Sequence, residues 1–206
     1  INFGGVKAVQ NVSLDIRKGS VTSIIGPNGA GKTTFFNIIS GVYKPTSGKV
    51  LLDGEDITSL PQHEVSKKGM ARTFQNIRLF SQLDNVRNVQ SALDARANYT
   101  MVEAILGLPR KRSEDKKNYD IAMECLELVG LKDFAHDRPG NLPYGMQRKV
   151  ELARALASDP KLLLLDEPAA GLNPVEVEDF IELLKKIRGI RDLTILLIEH
   201  RLKVVN

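Results

Sequence analysis

The sequence has little of what disulfide-stapled, membrane-spanning or nucleic-acid-binding proteins need. Its 206 residues include one cysteine, Cys125, which excludes an internal disulfide and fits a reducing compartment. It has no tryptophan, and no apolar run reaches the length that crosses a membrane. The net charge of +4 is mild and no long basic stripe with interleaved aromatic residues is present, so we expect no nucleic acid partner. Docking on a membrane protein remains open.

The composition that remains is that of an ordinary globular domain, with 42% hydrophobic and 26% charged residues. The length suits one domain with room for a subdomain. Cys125 lies four residues after Ile121 and three before Leu128, the spacing of one helix face. This spacing favours a core thiol over a reactive one.

The most informative stretch fits the pattern G-x-x-x-x-G-K-[ST]. It follows the apolar run from Val21 to Ile25 and precedes a helix-like run from Phe35 to Ser40. Glycines let consecutive backbone N–H groups turn toward phosphate oxygens, and the helix start adds free donors and a positive dipole end. A plain glycine-rich turn is the alternative, but this context makes it rare. The predicted triphosphate-binding residues are Gly26, Pro27, Asn28, Gly29, Ala30, Gly31, Lys32, Thr33 and Thr34.

Candidate catalytic and metal-binding side chains are predicted in the phosphate loop and at the end of a later strand. Lys32 would place an ammonium on the outer phosphates, and the Thr33 hydroxyl would bind Mg²⁺. Four leucines then deliver Asp166 and Glu167 to the end of a strand, where ligands bind in open α/β sheets. Asp166 fits a carboxylate near Mg²⁺, and Glu167 could accept a proton from the attacking water. Alone, this motif is often only a polar turn after a strand; the phosphate loop favours the functional interpretation.

Two further segments allow both a functional and a structural interpretation. His200 follows an apolar strand-like run and could donate to the γ-phosphate and hold the attacking water, although a lone histidine is usually a surface residue. The segment from Leu142 to Arg148 opens a helix with Gly145 in its first turn. That helix start is either a second anion site or a plain helix terminus.

Hydrophobic periodicity predicts the remaining elements. Apolar strand runs covered by helices indicate a mostly parallel sheet. From about 84 to 138 helical periods and charges prevail. The predicted strands are 12–16, 21–25, 49–52, 70–74, 161–166 and 194–199, and the predicted helices include 58–69, 144–157 and 174–188.

The order of these motifs resembles an ATP-binding subunit of ABC transporters over essentially the whole chain. The sequences of residues 71–80 and 167–174 most resemble those of subunits of branched-chain amino-acid importers. The resemblance implies an α/β fold: a P-loop NTPase core with a mostly parallel sheet, an N-terminal antiparallel β portion and a helical subdomain at about 84–155. It implies that ATP is hydrolysed with Mg²⁺ to power solute import. Because such subunits continue past His200, it also implies that the chain is part of a longer one.

The resemblance also implies roles for individual residues. Phe3 matches the aromatic residue that stacks on adenine, although from the sequence alone it would be assigned to the core. Gln75 matches the glutamine that reaches Mg²⁺ and the water, in a loop that contacts the membrane subunits. His200 matches the switch histidine. The signature that binds ATP held by the opposite protomer comprises Leu142, Pro143, Tyr144, Gly145, Met146 and Gln147.

The partners implied are transmembrane permease subunits and a second ATP-binding subunit, identical or related, at the cytoplasmic face of the cell membrane. Pro143 stands where the signature commonly has serine, so a hydroxyl contact is missing. Asn173 stands where many relatives carry aspartate. Two alternatives remain: a soluble ABC ATPase of DNA repair or translation, and a nucleotide-binding module without activity.

Overall fold

The computed structural model describes residues 1–94 and 109–199, and the chain divides into two compact units. The first unit comprises residues 1–75 together with the chain from 160 onward, and the second comprises residues 76–159. The predicted helical subdomain at about 84–155 falls within the second unit.

A four-stranded parallel sheet organises the first unit, in the order β3-β8-β7-β6. Two short antiparallel pairs, β1 with β2 and β4 with β5, accompany it. This combination confirms the predicted α/β fold with an antiparallel N-terminal portion. The strands are β1 (Asn2–Phe3), β2 (Val6–Lys7), β3 (Val21–Ile24), β4 (Leu51–Leu52), β5 (Glu55–Asp56), β6 (Met70–Arg72), β7 (Leu162–Asp166) and β8 (Thr194–Ile198).

Six α-helices lie in the described ranges, divided between the two units. The helices of the first unit are α1 (Lys32–Ile39), α2 (Gln62–Lys67) and α6 (Pro174–Arg191). Those of the second are α3 (Asn85–Asp94), α4 (Pro109–Leu128) and α5 (Tyr144–Ala157). None of the described helices is long and apolar enough to cross a membrane.

The central strands are buried on both faces, as their continuous apolar sequences predict. Leu162 and Leu164 of β7 join Leu196 and Ile198 of β8 in a cluster with Phe36 of α1. The alternate residues of β7 and β8 point the other way and are buried too; they are Leu163, Leu165, Ile195 and Leu197. Burial on both faces therefore holds the ends of β7 and β8 in a rigid position, with α1 packed on one of these faces.

Two sequence predictions of elements were wrong, for identifiable reasons. Residues 12–16 alternate in polarity but form no strand; none of the described strands pairs with them, and Val12 and Leu14 stay exposed. The helix predicted from Thr58 begins at Gln62, after Pro61. The Thr58 hydroxyl instead accepts a hydrogen bond from the Val50 amide over 2.8 Å, which closes the β4–β5 turn rather than capping a helix.

In the second unit α3, α4 and α5 pack on one another around a small core. Cys125 is fully buried in α4, which confirms the predicted core thiol. Asn88 of α3, also fully buried, exchanges hydrogen bonds with both backbone groups of Phe80: its Oδ1 accepts from Phe80 N over 2.7 Å and its Nδ2 donates to Phe80 O over 3.0 Å. The chain that enters this unit is thereby fixed to its first helix.

Candidate active site

The register of the parallel sheet brings several polar segments to one edge. Ile24 is level with Ile198, and Ile198 is level with Asp166. The Glu199 amide donates to Ile24 O over 3.3 Å, and the Thr73 amide donates to Leu164 O over 3.0 Å, which continues the pairing just beyond the strands. The segments that follow these strands therefore emerge side by side, at the carboxyl edge where open α/β sheets bind ligands.

The predicted phosphate loop emerges from β3 at this edge and leads directly into α1. The Lys32 side chain folds back beneath the loop, and its ammonium donates to Gly26 O over 2.7 Å and to Pro27 O over 2.8 Å. Only 9% of Lys32 is exposed. Among the described residues the hydrogen bonds of this nearly buried ammonium go to neutral carbonyls, which favours an anion as a further partner. Thr33, by contrast, is exposed at the start of α1.

Glycine is required at one position of this loop for two separate reasons. Gly31 has φ +83°, in the left-handed region, and a Cβ there would lie 2.4 Å from the backbone oxygen of Ala8. Gly29 has a similar φ of +78°, but a Cβ there would meet nothing within 4 Å. Gly31 therefore allows the start of α1, whose first amides have no partner inside the helix, to pack closely against residue 8.

Asp166 ends β7 with its carboxylate almost fully buried. Its Oδ2 accepts a hydrogen bond over 2.9 Å from Arg72, and the two side chains are 4% and 6% exposed. A buried carboxylate needs a cation or several donors to remain charged. Asp166 therefore lies at the predicted position, with a guanidinium partner that was not predicted.

Glu167 follows in a strained backbone conformation and contacts Gln75. Its φ of +49° lies in the left-handed region, which costs a residue with a Cβ about 1–2 kcal/mol. Its amide donates to Ile198 O over 3.0 Å, and its Oε2 accepts from Gln75 Nε2, also over 3.0 Å. The structure thus brings together the predicted proton acceptor and the predicted water-binding amide. Strain of this kind is frequent where a side chain must be aimed at a reaction.

The segment after Glu167 is fixed by Glu199, whose carboxylate is buried. Its Oε1 accepts a hydrogen bond over 3.1 Å from the amide of Ala169. Asn173 then caps α6: its side-chain oxygen accepts from the amides of Val175 and Glu176 over 3.0 Å each. Asparagine therefore serves as well as aspartate for the cap at this position.

Phe3, the predicted adenine-stacking residue, is not a core residue. It lies in β1 with 44% of its surface exposed, and its ring packs edge-to-face on Tyr43 with the centroids 5.3 Å apart. An exposed ring supported from one side can receive a second flat group. His200 lies outside the described residues.

The predicted signature lies in the second unit, at the start of α5. Pro143 is the N-cap, and its carbonyl accepts from the amides of both Met146 and Gln147 over 3.0 Å. The Gln147 side chain donates back to Leu142 O over 2.9 Å, which ties the helix to the turn before it. Tyr144 and Gly145 form the first turn, where amides have no partner inside the helix.

The helix α5 contains a buried ion pair between Arg148 and Glu151. Arg148 donates to the Tyr144 hydroxyl over 2.9 Å and to Glu151 Oε2 over 3.1 Å, and both charged side chains are 2% exposed. Burial raises the pKa of Glu151, against the opposing effect of Arg148 and Arg154. Arg154 in turn donates to the backbone oxygen of Arg78, so α5 is bonded to the segment that follows Gln75.

The donors at the sheet edge suit a magnesium–nucleotide complex. Asp166, Thr33 and Gln75 offer oxygen atoms, the ligand type that Mg²⁺ prefers. Within the described ranges no group of three or more His, Cys, Asp or Glu residues could hold a metal by itself. A site of this composition fits an ion that keeps water and phosphate oxygens among its ligands.

Two charged residues of this site were not singled out from the sequence. Arg72 and Glu199 both occupy or directly follow strands that are otherwise apolar. The sequence signal that could have identified them is a charged side chain at the end of an apolar strand. Neither its partner nor its burial could be read from the sequence.

A phosphate loop and paired carboxylates at the carboxyl edge of a parallel sheet define a nucleoside triphosphatase. A family model described as ABC transporter matches residues 9–170. The chain belongs to the ABC transporter family and is an ATPase cassette of that family. Cassettes of this family bind nucleotide, work with transmembrane permeases and form dimers.

Individual relatives agree with this assignment. The high-affinity branched-chain amino acid transport ATP-binding protein BraF of Pseudomonas aeruginosa is 44% identical over all of this chain and 80% of its own length. The corresponding protein LivG of Escherichia coli is 42% identical over the same shares. The dimeric post-hydrolysis state of the cassette MJ0796, bound to ADP and Pi, superposes with a TM-score of 0.80 at 31% identity, over 99% of this chain and 85% of that one.

We expect Gly31→Ala to destabilise the protein more than Gly29→Ala. Gly29→Ala adds only left-handed strain, about 1–2 kcal/mol. Gly31→Ala adds similar strain and a clash with a backbone oxygen that cannot move alone. Urea unfolding without nucleotide measures the free energy of unfolding of both variants. Equal losses would show that the approach of Gly31 to Ala8 is not tight.

Proposed function

We propose that this chain is the ATP-hydrolysing subunit of an importer for branched-chain amino acids. The observation that carries the proposal is the arrangement at one sheet edge: a lysine beneath a phosphate loop, and Glu167 hydrogen-bonded to Gln75 next to the buried Asp166. The names of BraF and LivG support the choice of solute. The experiments below test the chemistry and the solute separately.

Nucleotide binding would use the loop from Gly26 to Thr34. The amides at the start of α1 and its positive dipole end attract phosphate oxygens. Lys32 is already pinned at the loop by two carbonyls, so little side-chain freedom is left to lose on binding. The exposed ring of Phe3 offers the adenine a stacking partner.

Magnesium would be held by Thr33 and Asp166, with Gln75 in reach of it. When bound, the ion neutralises charge on the phosphates. Thr33 presents an exposed hydroxyl to the ion. Asp166 presents a buried carboxylate, whose Oδ2 accepts a hydrogen bond from Arg72. Asp166 thereby has a fixed rather than a mobile carboxylate.

In the hydrolytic step a water oxygen bonds to the γ-phosphorus while the bond to the β–γ bridging oxygen breaks, and ADP and phosphate leave. Glu167 accepts the proton that the water loses. Gln75 holds Glu167 before the reaction and can hold the water during it. His200 would orient the same water, and Lys32 stabilises charge on the transferred group.

A second protomer would complete the site with its signature helix. The first turn of α5, at Tyr144 and Gly145, presents amides that suit a γ-phosphate. Pro143 lacks the common serine hydroxyl, but as N-cap it fixes the direction of these amides. The ADP-bound dimer of MJ0796 supports a dimeric arrangement.

Coupling to the membrane subunits would use the segment from Gln75 to Phe80. Gln75 contacts Glu167, and Phe80 is fixed by Asn88 while 54% of it is exposed. An exposed aromatic residue on a fixed backbone is suited to a protein interface. Nucleotide-dependent movement of Gln75 can thus be passed to a surface that contacts a permease.

We expect Glu167→Gln to bind ATP and to lose turnover. The amide keeps the shape and the contact with Gln75 but cannot accept the proton, and loss of a general base costs about 10²–10⁴-fold in rate. Phosphate release and binding of a fluorescent ATP analogue measure the two properties. Lys32→Ala is the matched variant that should lose nucleotide affinity instead. Wild-type turnover by Glu167→Gln would refute the proton-acceptor role.

We expect ATP to drive Glu167→Gln into a dimer, and Gly145→Glu in that background to prevent it. The added carboxylate would face the γ-phosphate of the opposite protomer and repel it. Size-exclusion chromatography with light scattering measures the mass. Gly189→Glu adds the same charge at an exposed position of α6 and should leave the dimer intact. A dimer that tolerates Gly145→Glu would contradict the role of the signature.

The solute is tested by transport. The chain is reconstituted in proteoliposomes with the permease subunits and binding protein of a branched-chain amino-acid importer, and supplied with ATP inside. We expect uptake of leucine, isoleucine and valine, and far less of methionine, an unbranched apolar amino acid of similar size. ATPase activity without any amino-acid uptake would favour a soluble ABC ATPase, and uptake of methionine alone would refute the branched-chain assignment.

A further inference from the structure

Arg72 is a charged residue at the end of a buried strand, and its guanidinium joins three segments of the first unit. Nη2 donates to Asp166 Oδ2 over 2.9 Å. Nη1 donates to Asn37 Oδ1 over 2.7 Å and to Ser40 Oγ over 3.0 Å. Asn37 lies in α1 and Ser40 caps its end, so Arg72 connects the helix after the phosphate loop to the carboxylate that ends β7.

Aromatic rings fix the plane of this guanidinium. Its central carbon lies 5.6 Å from the ring centroid of Phe36 and 5.0 Å from that of Phe74. A guanidinium held by rings and by hydrogen bonds has little freedom to rotate, and its fork geometry is rigid. The position of Asp166 Oδ2 is therefore set by α1 and by the aromatic contacts.

Stability alone does not account for an arginine at this position. A buried ion pair contributes little net stability, because removing both charges from water offsets most of their attraction. In addition, among the described residues Arg72 Nε has no hydrogen-bond partner, which adds a desolvation cost. Apolar side chains at both position 72 and position 166 would fill the same space without these costs. The residue type fits a demand for geometry at Asp166.

We propose that Arg72 is a positioning residue for the magnesium-binding carboxylate. By occupying Oδ2 it leaves Oδ1 of Asp166 for the ion, and by bonding to Asn37 it holds that oxygen at a constant distance from α1, which carries Lys32 and Thr33. Partners of this kind orient metal ligands in many sites. The inference rests on the proposed role of Asp166.

The test compares nucleotide affinity with and without magnesium. Arg72→Lys keeps the charge but loses the planar fork that bonds Asp166 and Asn37 together. The dissociation constant of a fluorescent ADP analogue is measured in excess Mg²⁺ and in EDTA. We expect the Mg²⁺-dependent gain in affinity to fall about tenfold or more, whereas the affinity in EDTA changes by less than about twofold.

Other outcomes overturn the inference. Equal losses in Mg²⁺ and in EDTA would mean that Arg72 only supports the fold of the loop, and an unchanged gain would mean that Asp166 needs no positioning. Lys161→Gln is the matched control: it breaks the 2.7 Å ion pair between Lys161 and Asp53, just before the opposite end of β7, and should alter neither affinity.

Two further variants keep the result decisive. Asn37→Ala leaves the ion pair with Asp166 and the bond to Ser40 but removes one of the two partners of Arg72 Nη1, and should lower the Mg²⁺-dependent gain less than Arg72→Lys does. Asp166→Asn separates this inference from the function on which it rests. If Asp166→Asn retains the full gain, the magnesium role of Asp166 and the inference both fail. If it loses the gain and Arg72→Lys retains it, only the inference fails.

Discussion

The parallel pairing of β7 with its neighbours is the constraint on which the site depends. Because β3, β8 and β7 run in the same direction and in level register, whatever follows each strand emerges at one edge. β7 and β8 are buried on both faces, so their ends have little freedom to shift. A phosphate loop, a carboxylate pair and the Gln75 segment that are far apart in sequence thus meet without any local signal for contact.

The edge is fixed further by charged side chains that hydrogen-bond to neighbouring segments. Lys32 closes its loop through two carbonyls, Glu199 secures the turn after Glu167, and Arg72 joins α1 to Asp166. Each bond replaces water around a charged group by a fixed protein dipole or charge. Preorganisation of this kind is what gives electrostatic stabilisation its effect on rate. The hydrogen bonds around Glu167 likewise hold its backbone in the strained left-handed conformation.

The sequence predicted the elements that carry strong periodicity. The helix 144–157 and the buried strands at 162–166 and 194–198 lie almost where apolar spacing placed them, and Cys125 is the predicted core thiol. Prediction was wrong at 12–16, where alternation exists without a neighbouring strand, and at Thr58, whose hydroxyl serves a turn. The polarity pattern of a segment indicates which of its faces is apolar, but not whether another strand or helix covers that face.

The sequence by itself determined the class of chemistry, because the glycine spacing, Lys32 and the Asp166-Glu167 pair are needed wherever a triphosphate is bound and cleaved. It also determined the family, through the order of its motifs. Only the tertiary structure decided which side chains support them: Arg72 hydrogen-bonds to Asp166, and Gln75 hydrogen-bonds to Glu167. It also decided that Asn88 holds the backbone of Phe80. Such contacts join residues up to 94 positions apart. They arise from the register of the sheet and the packing of helices, which no short segment encodes.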